Sequence, residues 1–305
     1  MKLDFATDHA GGGAADLVQT HAVRGEADRL VDVLLCGPSH LETVPCCSVT
    51  RESMRNGFVV AQDEAQRQHA ALRQVLERHG VRCHAMPATP ELPDLCFTRD
   101  AGVMTPWGFV ALKPAMAHRS VEVDHLVRTL SAIGVRPVRR ITEGTIEGGD
   151  VCVARPGLLV LGLSGERTST AGAEAFAASF VQQGWDVLYC SFDPHFLHLD
   201  TMFCMLDANT ALACTDVLDD GFLAALAARD ITLIPVSYKE ARRLGCNVVS
   251  LDGRTILMNA AAPQAAERVR AAGFLVEELD VSQFAACGGG LHCLTLPLRR
   301  LPARG

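Results

Sequence analysis

The chain has 305 residues, 49% hydrophobic and 21% charged, with a formal net charge of −7 at pH 7. That balance supports a buried core and excludes a disordered chain. No basic block is longer than a pair, which argues against a nucleic-acid groove, and no apolar run reaches membrane-spanning length.

The first residues, Met1-Lys2-Leu3-Asp4, lead into a Gly/Ala stretch with no apolar secretory segment. We read roughly the first 25 residues as an extension, and residues 1–305 as one catalytic domain of a cytoplasmic protein. Twelve cysteines are spread thinly, often inside apolar runs such as Val151-Cys152-Val153. This suits buried thiols in a reducing compartment better than a disulfide framework, and eleven of the twelve are read that way.

Val31 to Cys36 reads as the first strand. A helix spans Asp63 to His79, stops at Gly80, and is followed by a strand over Val81 to Ala85. From Asp94 onward an order repeats about every fifty residues: a polar start, two short strands around a turn, a helix and a closing strand. The first such unit has strands Leu95–Met104 and Phe109–Leu112 about the turn Thr105-Pro106-Trp107-Gly108. Val123, Leu126, Val127, Leu130 and Ile133 then recur at helical spacing, and Val135–Ile141 closes the unit.

The next hairpin is Val151–Ala154 with Leu158–Leu161, followed by a helix over Ala173–Gln183 and a strand over Asp186–Phe192. A third unit has Thr201–Leu206, Thr210–Cys214, a helix at Asp220–Arg229 and the strand Ile231–Val236. A fourth has Val248–Leu251, Thr255–Met258, a helix at Pro263–Gly273 and the strand Phe274–Leu279. The last strand, Leu294–Leu298, has no helix after it and is expected to complete the N-terminal unit. Five units closed into a ring leave no open sheet edge. Two Rossmann-like domains are the alternative, disfavoured because no Gly-rich phosphate loop follows a strand.

The hairpin starts carry the candidate chemistry: Asp94 to Asp100, Glu147 to Asp150, His198 to Asp200, Asn247, and His292-Cys293. Positions 100, 150, 200, 247 and 293 lie about one repeat apart, so equal phase gathers them at one end of the ring. Any one of these residues alone reads as a turn cap or a core thiol. Together they read as a site, because burying them all without a ligand is costly. Gly288-Gly289-Gly290 before Cys293 suits presentation of a thiol at a cavity. A zinc set from His195, His198 and Cys287 or Cys293 is disfavoured, since no Cys-x-x-Cys pair accompanies it and carboxylates dominate. No metal and no cofactor are expected.

Phe97-Thr98-Arg99-Asp100, Glu147-Gly148-Gly149-Asp150, His198-Leu199-Asp200-Thr201 and Gly289-Gly290-Leu291-His292-Cys293-Leu294, in this order, resemble the guanidino-group-modifying enzymes. That superfamily includes dimethylarginine dimethylaminohydrolase, arginine deiminase and the amidinotransferases. The resemblance implies a five-bladed, pseudo-fivefold α/β propeller, the pentein fold, and a small guanidino substrate. It implies that Cys293 attacks the guanidinium carbon, that His198 is the acid/base, and that Glu147 orients His198. Asp100 and Asp200 would hold the guanidinium, Arg119 and Arg167 the substrate carboxylate, and Asp94 an α-ammonium or a guanidinium N–H. Residues 44–58 would form a loop over the pocket.

Two departures bear on specificity. The chain lacks the helical insertion of bacterial deiminases, yet Phe-Thr-Arg-Asp is closer to their wording. Position 288 is glycine where deiminases commonly carry a substrate-contacting arginine. The reading is therefore hydrolysis of a methylated or otherwise substituted arginine to citrulline and an amine, with arginine deimination next and amidino transfer after it. A non-enzymatic binding role, known on this fold in a ribosome anti-association factor, has no use for Cys293, His198 and Glu147 together. A homodimer is left open.

Overall fold

The computed structural model describes residues 21–302, so the expected N-terminal extension lies outside the described residues up to position 20. Strand β1 (Arg29–Cys36) is followed by helices α1 (Ser48–Arg55) and α2 (Gln62–Arg78) and strand β2 (Arg82–Met86). The second unit has β3 (Gly102–Thr105), β4 (Gly108–Ala111), α3 (Ala117–Ser120), α4 (Glu122–Ala132) and β5 (Pro137–Arg140). The third has β6 (Val151–Arg155), β7 (Leu158–Leu163), α5 (Thr170–Gln182) and β8 (Asp186–Ser191). The fourth has β9 (Phe203–Met205), β10 (Thr210–Ala213), α6 (Asp220–Ala227) and β11 (Thr232–Pro235). After α7 (Tyr238–Ala241), the fifth has β12 (Val249–Ser250), β13 (Thr255–Asn259), α8 (Pro263–Ala271) and β14 (Leu275–Leu279). Helix α9 (Ser282–Ala286) and strand β15 (Leu296–Leu301) end the chain.

These strands form five three-stranded sheets among the described residues: β15-β1-β2, β3-β4-β5, β6-β7-β8, β9-β10-β11 and β12-β13-β14. In each, the first pair is antiparallel and the second parallel. The parallel pair requires a crossover, which the helix of each unit supplies. Strand β15 pairs with β1 as the sequence predicts, so the two ends of the chain share one blade and close the ring. The architecture is a five-bladed, pseudo-fivefold α/β propeller. Five small separate sheets replace the two large ones that paired Rossmann-like domains would need.

Each crossover helix buries one stripe. In α2 the buried apolar residues are Ala65, Leu72, Val75 and Leu76, at helical spacing, and charged residues cover the opposite face. The apolar core lies between neighbouring sheets and beneath the helices. Its aromatic part joins Phe176, Phe180, Trp107 and Trp185, with Trp107 4.9 Å and Trp185 5.1 Å from the Phe180 ring, both edge-on.

Two expectations differ from the structure. Leu95–Met104 was predicted as one strand, but only Gly102–Thr105 is. Residues 94–101 are a series of tight turns, with Phe97 N bonded to Asp94 O and Gly102 N to Arg99 O. The segment is buried throughout, and its short apolar stretch Leu95-Cys96-Phe97 is read in sequence as part of a buried strand. Residues 44–58, predicted as a loop, contain α1. Its first turn is capped by Cys47, whose Sγ accepts from Thr50 N while Cys47 N donates to Thr50 Oγ1. Serine, threonine and the Asx residues are the usual caps, so a cysteine there gives no warning in sequence.

Phe180 is fully buried beside both tryptophans of the chain. Phe180→Ala is expected to lower the unfolding free energy by about 3–5 kcal/mol. Denaturation followed by tryptophan fluorescence measures it, and a loss under about 1 kcal/mol would show that the cluster does not hold that blade.

Candidate active site

The residues at equal phase in the repeat do meet, and they meet by bonding to one another. Asp100 Oδ1 accepts from Gly149 N at 3.0 Å, and Asp150 Oδ1 from Leu199 N at 2.8 Å. Asn247 Nδ2 donates to Asp200 O at 3.4 Å, and Asn247 Oδ1 accepts from His292 N at 3.0 Å. Arg99 N donates to Cys293 O at 3.3 Å, which completes the circuit from the blade shared by β1 and β15 to the second. Each of these anchors stands just before the first strand of its sheet: β3, β6, β9, β12 and β15. The same step of the repeat therefore delivers all of them to one end of the ring.

A cavity of ≈ 320 Å³ opens there, lined in part by Asp94, Asp100, Arg119, Arg167, His198 and Cys293. Asp200 touches the nucleophile candidate from behind, its Oδ2 at 3.4 Å from Cys293 Sγ. A larger cavity of ≈ 920 Å³ lies at the hairpin turns, around Arg155, Asn209 and Gly253. It contains neither a thiol nor an imidazole, so size alone does not mark the site.

His198 is buried and its Nε2 lies 2.7 Å from Glu147 Oε2. Glu147 is held in turn by Arg167 Nη1 at 3.1 Å and by Ala115 N at 3.0 Å. Burial pulls the His198 imidazole down, but Asp100, the bond to Glu147 and the charge of Asp150 outweigh it and raise it to about 10. Burial pushes Glu147 up, yet its bond to His198 and the charges of His198 and Arg167 bring it to about 2. The pair is thus an imidazolium and a carboxylate. The Cys293 thiol, with burial as the main cause and Asp200 and Asp100 adding to it, is pushed well above the ordinary thiol range. Asn247 Nδ2, 3.2 Å from Cys293 Sγ, acts the other way.

Two buried polar atoms near the thiol have no partner: His198 Nδ1 and Asp200 Oδ1. Asp100 Oδ1 is 3.8 Å from that Nδ1, too far for a hydrogen bond. Buried polar atoms are almost always paired, so a donor without an acceptor on a cavity wall and an acceptor without a donor on the carboxylate that touches the thiol point to a polar ligand. Gly149 permits this arrangement. A Cβ there would lie 2.6 Å from His198 Nδ1.

Not every expected residue is free for the role assigned to it. Arg119 lines the cavity but is 4% exposed, and its three nitrogens are engaged. Nη1 donates to Asp100 Oδ2 at 2.5 Å, Nε to Glu122, and Nη2 to Glu122 and to Phe97 O. Its geometry is that of a brace for Asp100 rather than an open ligand for a substrate carboxylate. Arg167 spends Nη1 on Glu147 and Nη2 on Cys46 O at 2.9 Å, joining the 44–58 segment to the site. Asp94 lines the cavity, with His118 Nε2 at 2.8 Å from its Oδ2.

Several participants were not assigned from sequence. His292 bridges Asp200 Oδ2 at 2.8 Å and Glu26 Oε1 at 2.9 Å, and Arg99 Nη2 lies 3.3 Å from the same Glu26 oxygen. Asn247 and Asp150 shared the repeat phase, which was the available signal for both. Glu26 and Glu122 carried none. Among the described residues two groups have metal-ligand spacing: Asp100, Glu147 and His198, and Cys46, Asp94 and His118. The His195, His198 and Cys287 or Cys293 set is not one of them, since His195 is exposed and faces Tyr238. All twelve cysteines are free thiols, but Cys46 and Cys83 are only half-buried, unlike the buried thiols expected.

A pseudo-fivefold α/β propeller with a thiol, an imidazole and carboxylates gathered at one end of the ring is a pentein of the guanidino-modifying kind. A model of the family described as N,N dimethylarginine dimethylhydrolase, eukaryotic, matches residues 48–300, and the chain belongs to that family. It is accordingly a hydrolase of guanidino carbon–nitrogen bonds. The N(G),N(G)-dimethylarginine dimethylaminohydrolase of Mycobacterium tuberculosis is 30% identical, over 77% of this chain and 76% of its own length. The Pseudomonas aeruginosa dimethylarginine dimethylaminohydrolase, solved with citrulline as a cysteine-to-serine mutant, superposes with a TM-score of 0.74 at 22% identity, covering 88% of this chain and 99% of that one. The N-terminal domain of ArgZ, an arginine dihydrolase from cyanobacteria solved with bound substrate, gives a TM-score of 0.79 at 23% identity, covering 88% and 98%.

The raised imidazole has a consequence for stability. A histidine held charged in the folded chain contributes stability that is fully present below about 6.5, its unfolded value. That stability is lost as pH rises through about 10. Glu147→Gln removes the bonded carboxylate, so the decline in melting temperature between neutral and alkaline pH is expected to be shallower than in the wild type. Identical pH profiles for the two proteins would mean that Glu147 does not hold the imidazole charged.

Proposed function

We propose that the cavity hydrolyses a substituted arginine, most simply a methylated one, to citrulline and the corresponding amine. The observation that carries this reading is the pair of partnerless buried atoms, His198 Nδ1 and Asp200 Oδ1, with His198 lining the same cavity as Cys293 and the Asp200 carboxylate 3.4 Å from its Sγ. A planar guanidinium presents N–H donors to carboxylates while its carbon faces a nucleophile. Asp200 Oδ1 accepts one of those N–H groups and Asp100 a second, which fixes the plane for attack.

The electrostatics make the thiol conditional on the substrate. In the empty site Asp200 and Asp100 disfavour a thiolate at Cys293. A bound guanidinium neutralises both carboxylates and places a cation beside the sulfur, so the thiolate forms when there is something to attack. Sγ then bonds to the guanidinium carbon, and the bond to the departing nitrogen breaks as His198, charged and held by Glu147, gives it a proton. This leaves an S-alkylthiouronium. The now neutral His198 takes a proton from water, and the hydroxide adds to the same carbon. The carbon–sulfur bond breaks as the adduct's hydroxyl proton passes to the departing sulfur, releasing the ureido product and restoring the Cys293 thiol.

Arginine deimination is the second reading, supported by the likeness to an arginine dihydrolase domain. Position 288 weighs against a deiminase-type arginine contact. Gly288 has φ +92°, and a Cβ there would come 3.2 Å from Cys47 Sγ, so an arginine would be strained and pressed against α1's cap. The Arg167–Cys46 bond leaves Arg167 to meet a substrate carboxylate only through the edge that faces the cavity.

Incubation with dimethylarginine, arginine and agmatine in turn, with colorimetric detection of ureido product, tests the reading. Turnover of dimethylarginine above the other two is expected, and Cys293→Ser should lower it by more than about a thousandfold. Mass spectrometry of quenched turnover should find the adduct on the peptide containing Cys293. Absence of ureido product from all three compounds would sink the proposal, and full activity in the Cys293→Ser protein would remove the nucleophile.

A further inference from the structure

We propose that Cys46, Asp94 and His118 form a zinc-binding site at the mouth of the cavity. The three come from separate segments: the residues before α1, the turns before β3, and α3. Their ligand atoms all lie within 4.8 Å of one another. They are a sulfur, an imidazole nitrogen and a carboxylate oxygen, the mixed donor set that zinc accepts.

The geometry needs only small adjustments. Tetrahedral zinc with a nitrogen and an oxygen each at about 2.0–2.1 Å sets those two atoms about 3.3 Å apart. His118 Nε2 and Asp94 Oδ2 are now 2.8 Å apart and share a hydrogen bond, so the ion replaces a proton and widens the gap by about half an ångström. His118 has a side chain 30% exposed, and Cys46 is half-buried, so both have room to move.

The charges also close. A Cys46 thiolate and the Asp94 carboxylate together neutralise a divalent ion, with His118 as the neutral third ligand. The neighbouring cations are already engaged, Arg167 with Glu147 and Arg119 with Asp100 and Glu122. Arg167 Nη2, bonded to Cys46 O, fixes the backbone that carries the thiol. Binding releases the Cys46 thiol proton to solvent, and no oxidant or reductant enters.

Three protein ligands leave a fourth position for water. Cys46 and Asp94 line the same cavity as His198 and Cys293, so an ion here stands between the cavity and solvent and takes the Asp94 carboxylate out of use. That consequence for turnover rests on the function proposed above. The binding itself does not, and its test needs no substrate.

The full chain, treated with a chelator and dialysed, is titrated with zinc alone by calorimetry. One ion per chain with proton release is expected. Cys46→Ser and His118→Ala should each weaken binding by about tenfold or more, while Cys293→Ser leaves it unchanged. Cobalt(II) supplies a second readout, a sulfur-to-metal charge-transfer band present in the wild type and Cys293→Ser proteins and absent from Cys46→Ser. Failure of the wild type to bind, or wild-type affinity in both the Cys46 and His118 variants, would overturn the site. Loss of binding in Cys293→Ser would also overturn it, by moving the ion to the thiol and the Asp100, Glu147 and His198 group.

Discussion

The circuit of hydrogen bonds from one blade's anchor to the next is the constraint on which the site depends. Asp100 holds Gly149, Asp150 holds Leu199, Asn247 holds both Asp200 and His292, and the carbonyl of Cys293 receives Arg99 N. These bonds are buried, where an unpaired backbone N–H costs about 1–3 kcal/mol. Each anchor thus satisfies a backbone group of the neighbouring blade. The side chains that join the blades are the same ones that surround the thiol or sit beside those that do. The fold cannot close at that end without assembling the site, and a slip of one residue in any blade would move a reactive group as well as break a bond.

Gathering so many charges out of water has to be offset locally. The molecule does it in two linked networks. One runs from Glu122 through Arg119 to Asp100, and from Arg167 through Glu147 to His198. The other runs from Arg99 and Glu26 through His292 to Asp200. The two carboxylates nearest Cys293 therefore stand at the ends of separate braces, each oriented by protein groups alone. Preorganised acceptors do not have to be ordered when a cation arrives, so its binding energy is available for the chemistry. Among the atoms of these networks, Asp200 Oδ1, His198 Nδ1 and Arg99 Nη2 are left without a hydrogen bond.

Much of this was legible because the repeat is legible. Four turn-bounded hairpins at equal spacing, and a last strand at the same phase, point Asp100, Asp150, Asp200, Asn247 and Cys293 to one end, and β15 pairs with β1 as its lack of a following helix implies. The partners of the anchors were not legible, because they come from outside the phase. Glu26 precedes the first strand, and Glu122 sits in a helix whose periodicity reads as an ordinary amphipathic one. A carboxylate on such a helix is normally solvated, and only the buried Arg119 explains why this one is not. The partners of Arg119 were hidden for the same reason: an arginine at a given distance along the chain says nothing of how many carboxylates surround it.

The segment 44–58 joins these threads. The resemblance implies a loop there, yet Cys47 and Thr50 cap a helix, and Gly288 passes beneath that cap at a φ of +92° that strains any side chain, with a Cβ only 3.2 Å from Cys47 Sγ. The Gly288 neighbourhood is part of the same run that delivers Cys293, so the cover of the cavity and the base that presents the thiol are packed directly against each other. Arg167 ties the carbonyl of Cys46 to Glu147, which holds His198. One guanidinium therefore connects the backbone at Cys46 to the carboxylate bonded to the imidazole. Specificity and acid–base chemistry share a single mechanical connection, and the rim of the cavity is where substrate discrimination should be sought.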